Sequence, residues 1–159
     1  MNKAYLLTGG NTGERQDYLA KARQRIEHEC GKITKISGIY ETAAWGKEDQ
    51  ASFLNQALLI ETDLSAADLM TTILAIELNL GRKRQLKYGP RTIDIDVLLF
   101  NSTIIHSPLI TVPHPELRNR RFALEPLNEI APDYVYPGSH LTVSDLLAQC
   151  PDPLPVVRR

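Results

Sequence analysis

Asp94 and Asp96 stand two residues apart in the run Thr92-Ile93-Asp94-Ile95-Asp96-Val97-Leu98-Leu99. Strand side chains alternate faces, so a strand here sets both carboxylates on one face, roughly 6.6 Å apart along the backbone. The same alternation puts Ile93, Ile95, Val97 and Leu99 on the opposite, core face. Two like charges held side by side are costly unless a cation sits between them. One or two carboxylates, with substrate phosphates completing the shell, are the usual protein share of a Mg²⁺ site. Aspartate is disfavoured in strands, which weakens the alternative of a solvated edge face. Arg82, Lys83, Arg84, Lys87 and Arg91 place five cations and no acid in the ten residues that lead into this strand. Arg118, Arg120 and Arg121 form a second cluster after Pro113-His114-Pro115. Cations beside a paired-carboxylate metal site suit a polyphosphate, whose charge they neutralise during transfer. Trp45, Phe53, Tyr88 and Phe122 are the aromatics available to a flat organic substrate. Gly9-Gly10-Asn11-Thr12-Gly13 has neither the Gly-Lys-Ser/Thr ending of a Walker A loop nor Rossmann spacing, and reads as a tight turn.

The elements that carry these residues follow from periodicity. Lys3 to Thr8 reads as a strand. Leu19, Ala22, Ile26 and Cys30 line one face of a helix from Arg15 to Cys30, with Gly31 as its stop. Ile33 to Thr42 and Phe53 to Thr62 read as strands, separated by a loop. Ser65 caps a second helix, with Asp68 in a capping-box-like position and Leu69, Ile73, Ile76 and Leu80 as its stripe. After Gly81 and the basic loop comes the strand Thr92 to Phe100. All ten prolines lie at or after position 90, which predicts turns and short elements there, a final helix near Leu141 to Ala148, and an extended or disordered tail. The order strand, helix, strand, strand, helix, strand predicts an α+β protein. Its core is a ferredoxin-like βαββαβ antiparallel sheet with helices packed on one face, followed by an extended C-terminal region.

The 159 residues suit one domain spanning the chain, long enough to build a core without metal or disulfide staples. Two cysteines, Cys30 and Cys150, are too few for a disulfide scaffold. No apolar run approaches the ~20 residues of a membrane helix, which together with the cysteine usage predicts a cytoplasmic protein without a membrane partner. The net charge of −1 argues against a general polyanion surface. Eight of the 18 Lys and Arg nevertheless lie in Arg82–Arg91 and Arg118–Arg121, two segments without acids.

The run Lys87-Tyr88-Gly89-Pro90-Arg91-Thr92-Ile93-Asp94-Ile95-Asp96-Val97-Leu98 closely resembles the signature of the 6-hydroxymethyl-7,8-dihydropterin pyrophosphokinase family. Gly9-Gly10-Asn11, Tyr40-Glu41-Thr42, Phe53-Leu54-Asn55, Val112-Pro113-His114-Pro115 and Arg120-Arg121-Phe122-Ala123-Leu124 agree in order. The resemblance implies a ferredoxin-like fold and transfer of pyrophosphate from ATP to the pterin hydroxymethyl group, leaving AMP, in folate biosynthesis. It makes Asp94 and Asp96 the ligands of two Mg²⁺ ions, and Arg82 and Arg91 the catalytic cations. It puts Glu77, Arg84, Lys87, Tyr88, Arg91, Val97, Thr111, His114 and Arg120 on the ATP side. Phe53 and Phe122 would sandwich the pterin, Asn55 would bond its edge, and Thr42, Ala43, Trp45 and Asp94 would complete that pocket. The family also implies a monomer. Ala43 and Ala44 stand where the family often has prolines, Leu74 where a polar nucleotide contact is common, and Tyr88 where a tryptophan is usual. A nucleic-acid-binding ferredoxin-like module is the competing class; it requires exposed aromatics on central strands, and the glycine-aromatic signature of such modules is missing here.

Overall fold

The computed structural model describes residues 1–43, 51–81 and 92–159. Apolar residues build a long central pair, β1 (Asn2–Gly10) and β4 (Phe53–Thr62), which run antiparallel. β5 (Asp94–Phe100) flanks β1, while β2 (Lys32–Ile36) and β3 (Tyr40–Thr42) both flank the far edge of β4. Counting β2 and β3 as one interrupted strand, the order across the sheet is fourth, first, third, second, the ferredoxin-like arrangement expected. The predicted strand Ile33–Thr42 breaks because one extra residue must fit between Ile36, opposite Leu58, and Tyr40, opposite Asn55. Ser37 stitches that break: its N–H donates to the Ala57 carbonyl at 2.9 Å and its Oγ accepts from the Ala57 N–H at 2.9 Å.

α1 (Arg15–Glu29) and α2 (Ala66–Asn79) pack on one face of the sheet through Leu19, Ala22, Ile26, Leu69, Ile73 and Ile76. The Ser65 Oγ accepts from the Asp68 N–H at 3.1 Å, and α2 is followed by Gly81 at φ +91°, a conformation glycine adopts without strain. Gly31 acts differently from the expected helix stop. A Cβ there would lie 2.1 Å from the Glu61 carbonyl oxygen, so the missing side chain lets the chain press onto β4. Cys30 is buried beside it, and burial pushes its thiol up to about 12, which makes it inert at neutral pH.

Helices cover both faces, not one. α3 (Arg121–Ile130) and α4 (Val143–Ala148) lay Leu124, Leu127 and Leu146 over Leu7, Ala57, Leu59 and Leu99 on the second face. α3 runs through Pro126 where proline clustering predicts only turns and short elements. An interior proline costs about 3 kcal/mol, and burying Ala123, Leu124, Leu127 and Ile130 outweighs it. β6 (Ile105–His106) and β7 (Thr111–Val112) form a separate hairpin. The tail is also ordered: β8 (Val156–Arg158) pairs with β3 and makes the main sheet six-stranded. The Arg159 N–H donates to the Ile39 carbonyl at 2.8 Å, so the last residue is still tied to the sheet. Among the described residues no helix is long and apolar enough to cross a membrane.

Candidate active site

One end of the sheet carries polar residues on the α3 side. Reading across the strands, Asp94 on β5 lies opposite Gly9 on β1, Gly9 opposite Asn55 on β4, and Asn55 opposite Tyr40 on β3. Asp96 lies opposite Leu7, and Thr42 opposite Phe53. Alternation therefore brings Asp94, Asp96, Asn55, Phe53 and Thr42 to one face. Leu99 joins that face, contrary to the simple alternation. The register shifts by one at Leu98, so Tyr5 pairs with Leu99 and Leu6 with Val97. β1 also runs two residues further than predicted, through Gly9 and Gly10, which are strand and not turn. Gly9 is there because Asn55 needs the space: a Cβ would sit 2.1 Å from the Asn55 Oδ1. The Asn55 amide thus lies across β1, and Asn55 is only 5% exposed.

Glu77 on α2 is buried, and its Oε2 accepts from the Ile95 N–H at 2.7 Å. β5 is the edge strand, so this carboxylate supplies an acceptor for a backbone donor between the two aspartates and fixes the strand that presents them. His114 follows the cis peptide Val112–Pro113. Its N–H donates to the Leu98 carbonyl at 2.9 Å, and its Nδ1 accepts from the Glu116 N–H at 3.1 Å. Burial, then the Arg120 charge, hold the imidazole below its ordinary pKa, against opposing pulls from Glu116 and Asp94. His114 is therefore neutral at pH 7, with Nε2 as its remaining N–H donor.

The arginines of the second cluster divide their tasks. The Arg118 guanidinium lies 5.6 Å from the Tyr136 ring centroid, and that of Arg120 lies 5.6 Å from the Phe122 ring centroid. Arg121 is taken up by the tail, donating to the Asp152 and Cys150 carbonyls. Phe53 and Phe122 are both half-buried, on β4 and in the first turn of α3. The Thr42 hydroxyl donates to the Pro155 carbonyl at 3.0 Å, and Ala43 is exposed. Thr111 is half-buried on β7. Val97 stands apart: its side chain is 3% exposed in the core under α1 and α2, on the face away from the carboxylates. Trp45, Arg82, Arg84, Lys87, Tyr88 and Arg91 lie outside the described residues.

Residue spacing did not mark Arg15 or the side-chain task of Asn11. Asn11 Nδ2 donates to the Ala51 carbonyl at 2.9 Å, and Arg15 Nη1 donates to the Ser52 carbonyl at 3.0 Å and to Glu41 Oε2 at 3.1 Å. These bonds pin the entry to β4 just ahead of Phe53. The asparagine after Gly9-Gly10 was the available signal. Among the described residues no group of three or more carboxylate, imidazole or thiol side chains forms a metal cluster. Two hard oxygen donors on a rigid strand fit Mg²⁺, whose shell phosphates and water complete.

Fold and site together define a small ferredoxin-like α+β protein that presents paired carboxylates, an imidazole and an arginine at one end of its sheet. The family model for 7,8-dihydro-6-hydroxymethylpterin-pyrophosphokinase (HPPK) matches residues 5–132, and the chain belongs to that family. The 2-amino-4-hydroxy-6-hydroxymethyldihydropteridine pyrophosphokinase of Aquifex aeolicus is 44% identical over 137 residues, covering 86% of this chain and 85% of that one. Its namesake in Bacillus subtilis is 45% identical over 130 residues, 81% of this chain and 78% of that one. Among solved structures, an HPPK-DHPS in complex with substrates superposes on 93% of this chain with a TM-score of 0.74 at 18% identity. Plasmodium falciparum HPPK-DHPS with pteroate gives 0.76 at 17% identity. The chain spans only 43% and 42% of those two longer chains, and the likeness to them is one of fold.

Proposed function

We propose that this chain transfers pyrophosphate from ATP to the hydroxymethyl group of 6-hydroxymethyl-7,8-dihydropterin, giving AMP and the pterin diphosphate, in folate biosynthesis. Family membership supports the reaction, and one arrangement supports its place in this molecule. The row Asp94–Gly9–Asn55 puts a carboxylate and a buried amide on either side of a glycine, beside Phe53. A planar heterocycle stacked on Phe53 and Phe122 leaves its polar edge for the Asn55 amide, which Gly9 makes room for. Thr42, with its hydroxyl held by Pro155, and Ala43 line the approach.

Asp94 and Asp96 are the residues to hold Mg²⁺, two ions on this reading, which supplies charge neutralisation of the triphosphate when bound. The pterin hydroxyl oxygen forms a bond to the β-phosphorus of ATP. The bond from that phosphorus to the oxygen bridging the α-phosphate breaks, AMP leaves, and the hydroxyl proton passes to solvent. The reaction asks for alignment more than for a strong base. Glu77 contributes by fixing β5 through Ile95, and His114 offers its Nε2 proton to a phosphate oxygen. Arg120, over Phe122, can answer charge on the nucleotide. On the family resemblance, Arg82 and Arg91 neutralise the triphosphate, Arg84, Lys87 and Tyr88 hold the nucleotide, and Trp45 helps to wall the pterin.

Product analysis tests this reading. Purified protein with ATP, Mg²⁺ and hydroxymethyldihydropterin should form AMP and pterin diphosphate in equal amounts, and no AMP when the pterin is omitted. ADP as the product, or AMP formation independent of the pterin, overturns it.

A further inference from the structure

Phe122 and Arg120 stand at the start of α3, yet α3 has no local cap: the Arg120 side chain makes no capping hydrogen bond. The cap comes from the far end of the chain. The Asp152 Oδ2 accepts from the Arg121 N–H at 3.2 Å, and its Oδ1 accepts from the Leu154 N–H at 3.0 Å. Its carbonyl accepts from Arg121 Nε at 3.2 Å. Asp152 is only 4% exposed, unusual for a carboxylate. Three residues on, the Pro155 carbonyl accepts from the Thr42 hydroxyl, and Val156 pairs with Thr42 across β8 and β3. The same short segment therefore grips the helix end that bears Phe122 and the strand end that bears Thr42.

We propose that the C-terminal segment Asp152–Arg158, anchored by Asp152, is a positioning element that sets the gap between the Phe122 wall and the β3–β4 wall of the pterin site. The inference rests on the pterin assignment above. Asp152 touches no substrate; it acts through the backbone of Arg121, which lies between Arg120 and Phe122. A cap is ordinarily worth about 0.5–2 kcal/mol of stability wherever it occurs. α4 has its own capping box, Thr142 with Asp145, whose hydrogen bonds stay within the start of α4 and reach neither wall, and it provides the control. Loss of either cap loosens a helix, but only loss of Asp152 should change pterin binding.

Steady-state kinetics of full-length variants decide this. Asp152→Ala should raise the pterin KM about tenfold or more, and the ATP KM by a clearly smaller factor, since Arg120 adjoins the same turn. Asp152→Asn, which keeps one acceptor oxygen, should recover part of the loss. Asp145→Ala should lower the melting temperature and leave both KM values unchanged. Arg158→Ala, which frees the far end of the segment from Glu129, should raise the pterin KM by an intermediate factor, and it carries the test if Asp152→Ala does not fold. An unchanged pterin KM in the Asp152 and Arg158 variants overturns the inference alone, as does an equal rise in both KM values or the same pattern in Asp145→Ala. A wild-type protein that forms no AMP from ATP and the pterin overturns the functional reading, and this inference with it.

Discussion

On the face toward α1 and α2, Leu54, Ile93 and Ile95 keep the sheet apolar to its end, none more than 2% exposed. On the face toward α3, neighbouring positions of β4 and β5 carry Asn55, Asp94 and Asp96. The two faces share a backbone and differ only by the alternation of side chains. The difference comes from what covers them. α1 and α2 lie over one face as far as the sheet end, whereas α3 begins there and offers its first turn, with Arg120 and Phe122, as a wall. One layer stores stability; the other gathers polar side chains at a corner of the sheet, and their cost is met by the packing elsewhere.

Substitutions should separate the two layers. Asp96→Asn should lower kcat on the order of 10³-fold, with thermal melting close to wild type; near-normal turnover at saturating Mg²⁺ would remove the metal role. Ile73→Ala, in the fully buried layer, should cost about 2–5 kcal/mol in urea unfolding, while folded enzyme keeps both KM values. Gly9→Ala drives a methyl into the Asn55 amide and should raise the pterin KM about tenfold, a loss that Asn55→Ala in the same chain should not deepen.

The smallest effect concerns acid stability. Burial raises the Glu129 carboxyl, but hydrogen bonds from Tyr40, Arg158 and Gly38 outweigh it and hold the group below its ordinary value. Its ionised form is thus favoured by folding. That contribution is present above the ordinary carboxylate pKa and is lost as pH falls through the lower, folded one. Glu129→Gln should narrow the difference in stability between neutral and acid pH, by about 0.2–1 kcal/mol. A steeper acid dependence in the variant would contradict the assignment.

Local pattern carried the frame. The stripes of α1 and α2, the Ser65 cap and the Asp-x-Asp strand are short-range signals, and each was found close to where spacing put it. Elements that depend on distant partners were not legible. Gly9 and Gly10 look like a turn until β4 pairs with both and Asn55 lies over Gly9. Pro126 looks like a breaker until the sheet beneath α3 rewards its apolar stripe. The proline-rich tail looks loose until β3 offers an edge. Within the site, the paired carboxylates were readable from spacing, while the proposed pterin wall rests on the family resemblance. The partners of Glu77 and Asp152 are backbone N–H groups, which no side-chain pattern encodes.

Amide chemical-shift mapping tests the central claim most directly. Hydroxymethyldihydropterin, added with Mg²⁺ and a non-hydrolysable ATP analogue, should shift the amides of Gly9, Phe53, Asn55, Asp94 and Phe122. The amides of Leu19, Leu69 and Ile73, on the layer across the sheet, should stay in place. Shifts concentrated in α1 and α2, with the Gly9–Asn55 row unmoved, would contradict the account.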